Sequence, residues 1–207
     1  MKLEEVALCQ LRTIFMLTDD EEASVRQASP IAVEKTIKAL AGFDNKYLDM
    51  NLSPFNSVIN CNYLYWLSNV LYNRHNGAAD KAYYLNKMLN SVDLFYAIEL
   101  PECWSCEHPL GSVMGRAKYG NNFFFYQGCT VGGNCREGLT GFTEYPTIGN
   151  NVIMYSNSTI IGRSIIGNDV LIAANAYVKD EVIPDGCIVF GQSPHLILKK
   201  NTITKKE

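Results

Sequence analysis

Along residues 113–182 the large apolar positions recur every six residues. They run Val113, Tyr119, Phe125, Val131, break, and resume as Ile148, Met154, Ile160, Ile166, Ile172 and Val178. The residue after each is often Gly or small (Gly120, Gly132, Gly149, Gly167, Ala173). The fifth position of the hexad is mostly small or branched (Ala117, Cys129, Cys135, Val152, Ser158, Ser164, Val170, Ala176, Val182). A helix repeats near 3.6 residues and a half-buried strand near 2, so a period of six fits neither alone. Six is the period of a parallel β-helix, in which each hexad makes one short face and three hexads close a triangular coil of about eighteen residues. The aliphatic residue is expected inside the prism. Gly or Asn is expected at the corners, where a positive φ costs little.

Two irregularities interrupt the pattern. Leu94, Leu100 and Cys106 are again six apart, and the phase then slips by one to reach Val113. The slip falls on Cys106-Glu107-His108-Pro109. The second lies between Val131 and Ile148, where Gly132-Gly133 leads into a polar, Gly-rich insert over 134–146. Such an insert is expected to leave the prism as one extruded loop on its binding edge. After Val182, Pro184-Asp185-Gly186 turns the chain, and a basic, ragged tail is expected from Lys199.

Residues 1–90 read as helical instead. Leu3, Val6, Ala7, Leu11, Ile14 and Phe15 form one face at helical spacing. Thr18 with Glu21 makes a capping box that opens a short second helix. Ser29-Pro30 and Ser53-Pro54 each read as an N-cap followed by an N1 proline. Ile59, Tyr63, Trp66 and Val70 share a face of the next helix. Asn73 to Gly77 is a turn, and Ala79 to Leu89 a final helix.

Composition narrows the function classes. The 207 residues are 47% hydrophobic and 19% charged, enough to bury a core, with net charge −3 and no basic block, which argues against nucleic acid. No apolar run approaches the ~18–20 residues of a membrane span, so no membrane insertion is expected. Acids follow Met1 where a signal peptide turns apolar. Seven cysteines without an export signal read as reduced thiols in a cytoplasmic protein.

Of three histidines, His75 sits in a helix–helix turn and His195 follows a proline; both read as solvated. His108 lies at the first irregularity. A neutral imidazole there suits a general base for a hydroxyl, set against the plain reading of a structural histidine. Cys103-Trp104-Ser105-Cys106 beside His108 invites a metal reading. Zinc needs three or four ligands, though, and on a strand Cys103 and Cys106 face opposite sides, so no metal is expected.

Val92-Asp93-Leu94, Glu107-His108, Gly111-Ser112-Val113-Met114-Gly115 and Tyr126-Gln127-Gly128-Cys129-Thr130-Val131-Gly132-Gly133 together resemble the serine acetyltransferases. That family carries Val-Asp-Ile, Asp-His, Thr-Gly-Val-Val-Ile-Gly and Tyr-Gln-Gly-Val-Thr-Leu-Gly-Gly in the same order, and the Asp93-to-His108 separation matches without a gap. The resemblance implies an α+β fold: a helical domain over 1–91 with oligomer contacts, a left-handed parallel β-helix acyltransferase domain over 92–198, and a polar tail over 199–207. It implies an acetyl-CoA-dependent O-acetyltransferase in a homotrimer, with a dimer of trimers left open. His108 would be the base and Asp93 would steady its imidazolium. Gly133, Ser156 and Ala174 match CoA-contact positions, each with tight corner packing as the alternative; Lys199 and Lys200 would meet CoA phosphates or lie solvated.

The acceptor side departs from the family. Where the family has Arg-His-Pro at the end of the extruded loop, this chain has Glu144-Tyr145-Pro146, a carboxylate where a guanidinium would hold an amino acid's carboxylate. Glu107 replaces the family's Asp. The acceptor, met by Glu107, Glu144 and Tyr145, is then L-serine or a sugar hydroxyl. The alternatives are N-acetylation of an amino sugar and a non-catalytic trimeric scaffold.

Overall fold

The computed structural model describes residues 2–43, 51–135 and 143–202. Residues 136–142 of the extruded loop and 203–207 of the tail lie outside the described residues.

Four helices come first: α1 (Leu3–Phe15), α2 (Asp19–Ala41), α3 (Ser57–Asn73) and α4 (Ala78–Asn90). The capping box at Thr18 is formed, with Glu21 donating its N–H to Thr18 Oγ1 and Thr18 its N–H to Glu21. The helix it opens is not short. It runs straight through Ser29-Pro30, which sits inside α2 and starts no new helix. Val25, Ala28 and Ala32 on either side are fully buried, and Ser29 Oγ donates to the Val25 carbonyl (2.8 Å). Tertiary burial outweighs the local preference of proline. Ser53-Pro54 likewise precedes its helix without capping it. The N-cap of α3 is Asn56, whose side chain accepts from Val58 and Ile59.

Helix α3 is buried along most of its length, including Asn60, Asn62 and Ser68. Asn60 is tied across the helix pair, while Asn62 donates to the Trp104 carbonyl (3.4 Å) of the prism. Asn90 donates to Asn60 (2.8 Å) and Asn86 (2.9 Å), and Asn86 to the Cys61 carbonyl (2.9 Å). Buried amides without partners would cost a few kcal/mol each, so this network fixes the register of α3 on α4.

The remainder is a parallel prism of three faces. One stacks Asp93–Leu94, Val113–Met114, Thr130–Gly132, Thr159–Ile161 and Tyr177–Lys179. A second stacks Trp104–Cys106, Phe123–Phe125, Ile153–Met154, Leu171–Ile172 and the start of Cys187–Gln192. The third stacks Lys118–Tyr119, Thr147–Ile148, Ile165–Ile166 and Val182–Ile183. The inward columns are fully buried from Val131 to Ile160 to Val178 and from Phe125 to Met154 to Ile172, each large side chain contributing about 1.5–3 kcal/mol.

The phase differs from the sequence reading at the first irregularity. Met114 points inward at 1% exposure, stacked between Leu94 and Val131, while Val113 is 41% exposed. The turn through Pro109 takes one residue more than the expected slip, because it contains two left-handed residues, His108 and Gly111. Asn and Gly do take the corners elsewhere: Asn122, Gly128, Asn151, Asn157, Gly162 and Asn175 all have positive φ. Asn122 donates to Asn151 (2.8 Å) and Asn151 to Asp169 (2.9 Å), a side-chain ladder along one edge. On the third face Gly120, Gly149 and Gly167 stack so closely that a Cβ on Gly149 would stand 2.6 Å from the Gly167 carbonyl oxygen.

One coil is longer than the rest. Val131 pairs with Ile160, 29 positions on, whereas Ile160 pairs with Val178 after 18. Eleven residues therefore leave the prism, and their described ends pair as a hairpin, Asn134–Cys135 against Thr143–Glu144. At the far end Lys199 and Lys200, expected on a ragged tail, lie in a strand (His195–Lys200) antiparallel to Cys187–Gln192. The sequence signal was missed because this strand lacks the hexad. It pairs edge-on and leaves Ile197 and Leu198 partly exposed.

Helices and prism share one core. Tyr65 packs edge-on to Trp104 (5.4 Å between centroids), and its hydroxyl donates to the Ile98 carbonyl (2.9 Å) and accepts from Leu100 N–H (3.1 Å). Among the described residues no helix is long and apolar enough to cross a membrane.

Candidate active site

His108 follows the strand Trp104–Cys106 and occupies the left-handed region, with φ of 50°. Among the described residues from 93 onward, every other left-handed residue is Gly, Asn or Asp. A β-substituted side chain there costs on the order of 1 kcal/mol, and such residues gather at functional sites. The imidazole is exposed to solvent.

The stacking register sets what stands beside it. Cys106, Phe125, Met154 and Ile172 are aligned, and on the corner that follows them Leu110, Gln127, Ser156 and Ala174 stack, Gly128 N–H donating to the Leu110 carbonyl (2.9 Å) as Asn157 N–H does to that of Gln127 (2.9 Å); His108 and Pro109 are the two extra residues of the turn leading into that column. Two of the sequence-predicted CoA positions, Ser156 and Ala174, thus lie on the corner that the turn carrying His108 leads into. The positions one beyond Cys106, Phe125 and Met154 carry Glu107, Tyr126 and Tyr155. Tyr126 and Tyr155 are stacked in parallel (5.4 Å, 8°). The Tyr126 phenol is pushed up from its ordinary pKa by burial and then by the Glu107 carboxylate. A residue that sequence reasoning passed over is Gln127. Its Oε1 is buried with no hydrogen-bond partner among the described residues, and its place in Tyr126-Gln127-Gly128, one coil above the turn that carries His108, was the available signal.

Asp93 is near the loop but not on the imidazole. Its N–H donates to the Ser112 carbonyl (2.8 Å), and Gly111 N–H donates to the Ser91 carbonyl (2.7 Å), so the 107–111 turn abuts its strand. The Asp93 carboxylate instead accepts from Tyr83 Oη (2.7 Å, on Oδ1) and Lys87 Nζ (2.8 Å, on Oδ2), both on α4. The expected His108–Asp93 hydrogen bond is not among those formed by the described residues. Two donors on α4 reach this carboxylate first. Lys87 is held above its ordinary pKa by the bond to Asp93 and then by Tyr83.

The other predicted residues separate. Gly133 lies on a different corner, two beyond Val131; it is exposed, but the Tyr145 ring and Thr143 stand on its Cβ side. A Cβ there would stand 2.5 Å from Thr143 Cγ2 and 2.8 Å from Tyr145 Cε1. Tyr145 and Gly133 are therefore one packed unit. Glu144 pairs opposite Asn134 in the hairpin. Lys199 lies five strands from the strand that precedes His108, about 24 Å at the usual strand spacing, with Nζ 5.5 Å from the Phe190 ring. Cys106 is buried beside Cys61 of α3, and its thiol is pushed up by that contact and by burial.

The chain matches a family model described as bacterial transferase hexapeptide (six repeats) over residues 145–180. It is 32% identical over 104 residues to a serine acetyltransferase of Mycobacterium tuberculosis, covering 50% of this chain and 44% of that protein. The chain thus spans less than half the length of that curated relative. In fold it superimposes on the serine acetyltransferase of Neisseria gonorrhoeae with TM-score 0.74 at 23% identity, over 99% of this chain and 81% of that one. A serine acetyltransferase solved in complex with CoA gives TM-score 0.75 at 16% identity, over 95% and 83%. In sequence over about half its length, and in fold over nearly its whole length, the chain resembles the serine acetyltransferases, and over residues 145–180 it carries the hexapeptide repeat of bacterial transferases.

Proposed function

We propose that this chain is an acetyl-CoA-dependent O-acetyltransferase with His108 as general base. The observation that carries the reading is the left-handed, solvent-facing His108 in the turn that leads into the corner carrying Ser156 and Ala174 in later coils. The neutral imidazole takes the proton of an acceptor hydroxyl, and the hydroxyl oxygen attacks the thioester carbonyl. The thiol of CoA leaves, and the imidazolium returns its proton to it. Ser156 and Ala174 fit a thin pantetheine arm on that corner because neither projects a long side chain. The arm's nucleotide end would run toward the hairpin bearing Lys199. Gly133 has Tyr145 and Thr143 on its Cβ side, so the absence of a side chain there makes room for the loop, while its exposed backbone still offers a surface to the arm.

The acceptor is best read as a hydroxyl compound without a free carboxylate, such as a sugar. Glu107, Tyr126 and Tyr155 offer a carboxylate beside stacked aromatic faces, and Glu144 contributes negative charge where the family holds a carboxylate. L-serine is the competing acceptor, favoured by the names of the relatives. The protein works as a trimer in this reading, since Leu110, Val113, Ile165 and Val182 stand exposed on the prism.

Thiol release from acetyl-CoA, measured with serine and then with sugars and amino sugars, tests both halves. His108→Ala should lower kcat/KM on the accepted substrate by roughly 10²–10⁴. Unchanged turnover in that variant would remove His108 from the chemistry.

A further inference from the structure

We propose that a cleft where α2 and α3 meet the segment 96–102 binds a free aromatic amino acid as its zwitterion. The cleft holds about 320 Å³, at the small end of the range for small-molecule sites. Its walls are fixed by hydrogen bonds that hold the segment on α3. Asn69 donates to the Tyr96 carbonyl (2.9 Å). Tyr65 Oη donates to the Ile98 carbonyl (2.9 Å) and accepts from Leu100 N–H (3.1 Å). The Tyr72 and Tyr96 rings meet with 4.8 Å between centroids, and the Tyr96 hydroxyl is anchored again on Asp80 (2.8 Å). A ligand entering this cleft meets a surface already formed, which keeps the cost of ordering it small.

The same lining leaves polar groups unmatched. Trp66 is 5% exposed, and its Nε1–H meets no acceptor among the described residues. Lys35 of α2 places Nζ 4.4 Å from the centroid of that indole ring. Glu99 and Glu102 line the cleft with it and are exposed, yet no ion pair joins either to Lys35 among the described residues. A lysine resting on a tryptophan is a weak attraction, and it accounts for the cation alone. It leaves the buried N–H without an acceptor, which costs more than that attraction returns. It also leaves two carboxylates sharing a cleft with an ammonium they do not reach. A ligand carboxylate supplies the acceptor that Trp66 and Lys35 lack, and a ligand ammonium answers Glu99 and Glu102. The rings of Trp66, Tyr72 and Tyr96 suit a flat side chain between those two ends. The cleft shares no lining residue with the turn that carries His108, so the proposal stands whether or not the chain transfers acetyl groups.

The test is isothermal titration of the full chain with L-phenylalanine, compared with hydrocinnamate, which lacks the ammonium, and phenethylamine, which lacks the carboxylate. L-Phenylalanine should bind, and each comparison compound should bind about tenfold or more weakly. Lys35→Met should weaken the binding of L-phenylalanine by about tenfold or more, as should Glu99→Gln combined with Glu102→Gln. Trp66→Phe, which keeps a ring and removes the N–H, should do the same. If Trp66→Phe does not fold, the substitutions at Lys35, Glu99 and Glu102 carry the test, since all three side chains reach solvent. His108→Ala should leave the affinity unchanged. Binding that is lost in His108→Ala and kept in Lys35→Met would put the ligand at the other site and overturn the proposal. No binding at millimolar L-phenylalanine overturns it as well, and so does equal affinity for the three compounds.

Discussion

Replacing His108 with Asn should make the protein more stable and nearly inactive. The left-handed backbone costs a β-substituted residue about 1–2 kcal/mol, and Asn recovers part of this through its local hydrogen bonding. Asn122, Asn151, Asn157 and Asn175 already hold that conformation at other corners. Little opposes the gain, because the imidazole is exposed and no hydrogen bond from it occurs among the described residues. We expect stabilisation of about 0.5–1 kcal/mol, a rise in Tm of roughly 1–4 °C for a chain of this size. His108→Gly should come out similar: it releases more strain but gives back about 0.4–1 kcal/mol as unfolded-state entropy. Urea unfolding followed by circular dichroism gives the stability, and thiol release gives the turnover. The reasoning is refuted if His108→Asn destabilises the fold, since the ring would then be making contacts that the geometry denies it. It is refuted equally if the stabilised variant keeps full turnover, since the strain would then serve no chemistry.

Three further expectations follow from separate parts of the fold. Gly149→Ala should cost about 2 kcal/mol or more, because the new Cβ meets backbone at Gly167 (2.6 and 2.7 Å) that cannot step aside; thermal unfolding reads this directly. Glu21 is held below its ordinary pKa, first by Lys81 and then by Thr18, so its contribution is present above the unfolded value and is lost as pH falls through the folded one. Glu21→Gln should therefore be less stable than wild type at pH 7 and converge with it only once the pH has fallen below the ordinary carboxylate range, by urea titrations at each pH. Glu144→Arg with Tyr145→His should create or greatly improve serine turnover; no gain would show that these two positions do not select the acceptor.

The prism was legible because its rule is geometric. Each coil demands an inward aliphatic side chain and a corner that tolerates positive φ, and Ile160, Ile166, Ile172 and Val178 meet the demand without exception. Phase failed at Val113 because a single residue of slip exchanges the inward and outward sides of a strand, and the residues from Glu107 to Ser112 do not announce how many of them the turn consumes. Helix boundaries at Pro30 and Pro54 failed for a different reason. Local start signals are weak beside the burial of Val25, Ala28 and Ala32. In the site, Asp93 and His108 were found by spacing, but the partners of Asp93 were not, because Tyr83 and Lys87 belong to a helix whose packing no short motif records. Gly133 read as an opening in the sequence. Only coordinates reveal that Tyr145 packs on its Cβ side.

The lengthened coil has a bearing on how such a protein changes its diet. All three faces resume their stacking after the excursion between Val131 and Thr147, with Lys118 meeting Thr147 and Phe124 meeting Ile153 as if nothing had intervened. The excursion can therefore be swapped, trimmed or enlarged with little penalty to the column, since the entropy of closing a longer loop grows only logarithmically. Whatever chooses the acceptor from that appendage can drift independently, while the histidine at the other corner stays put.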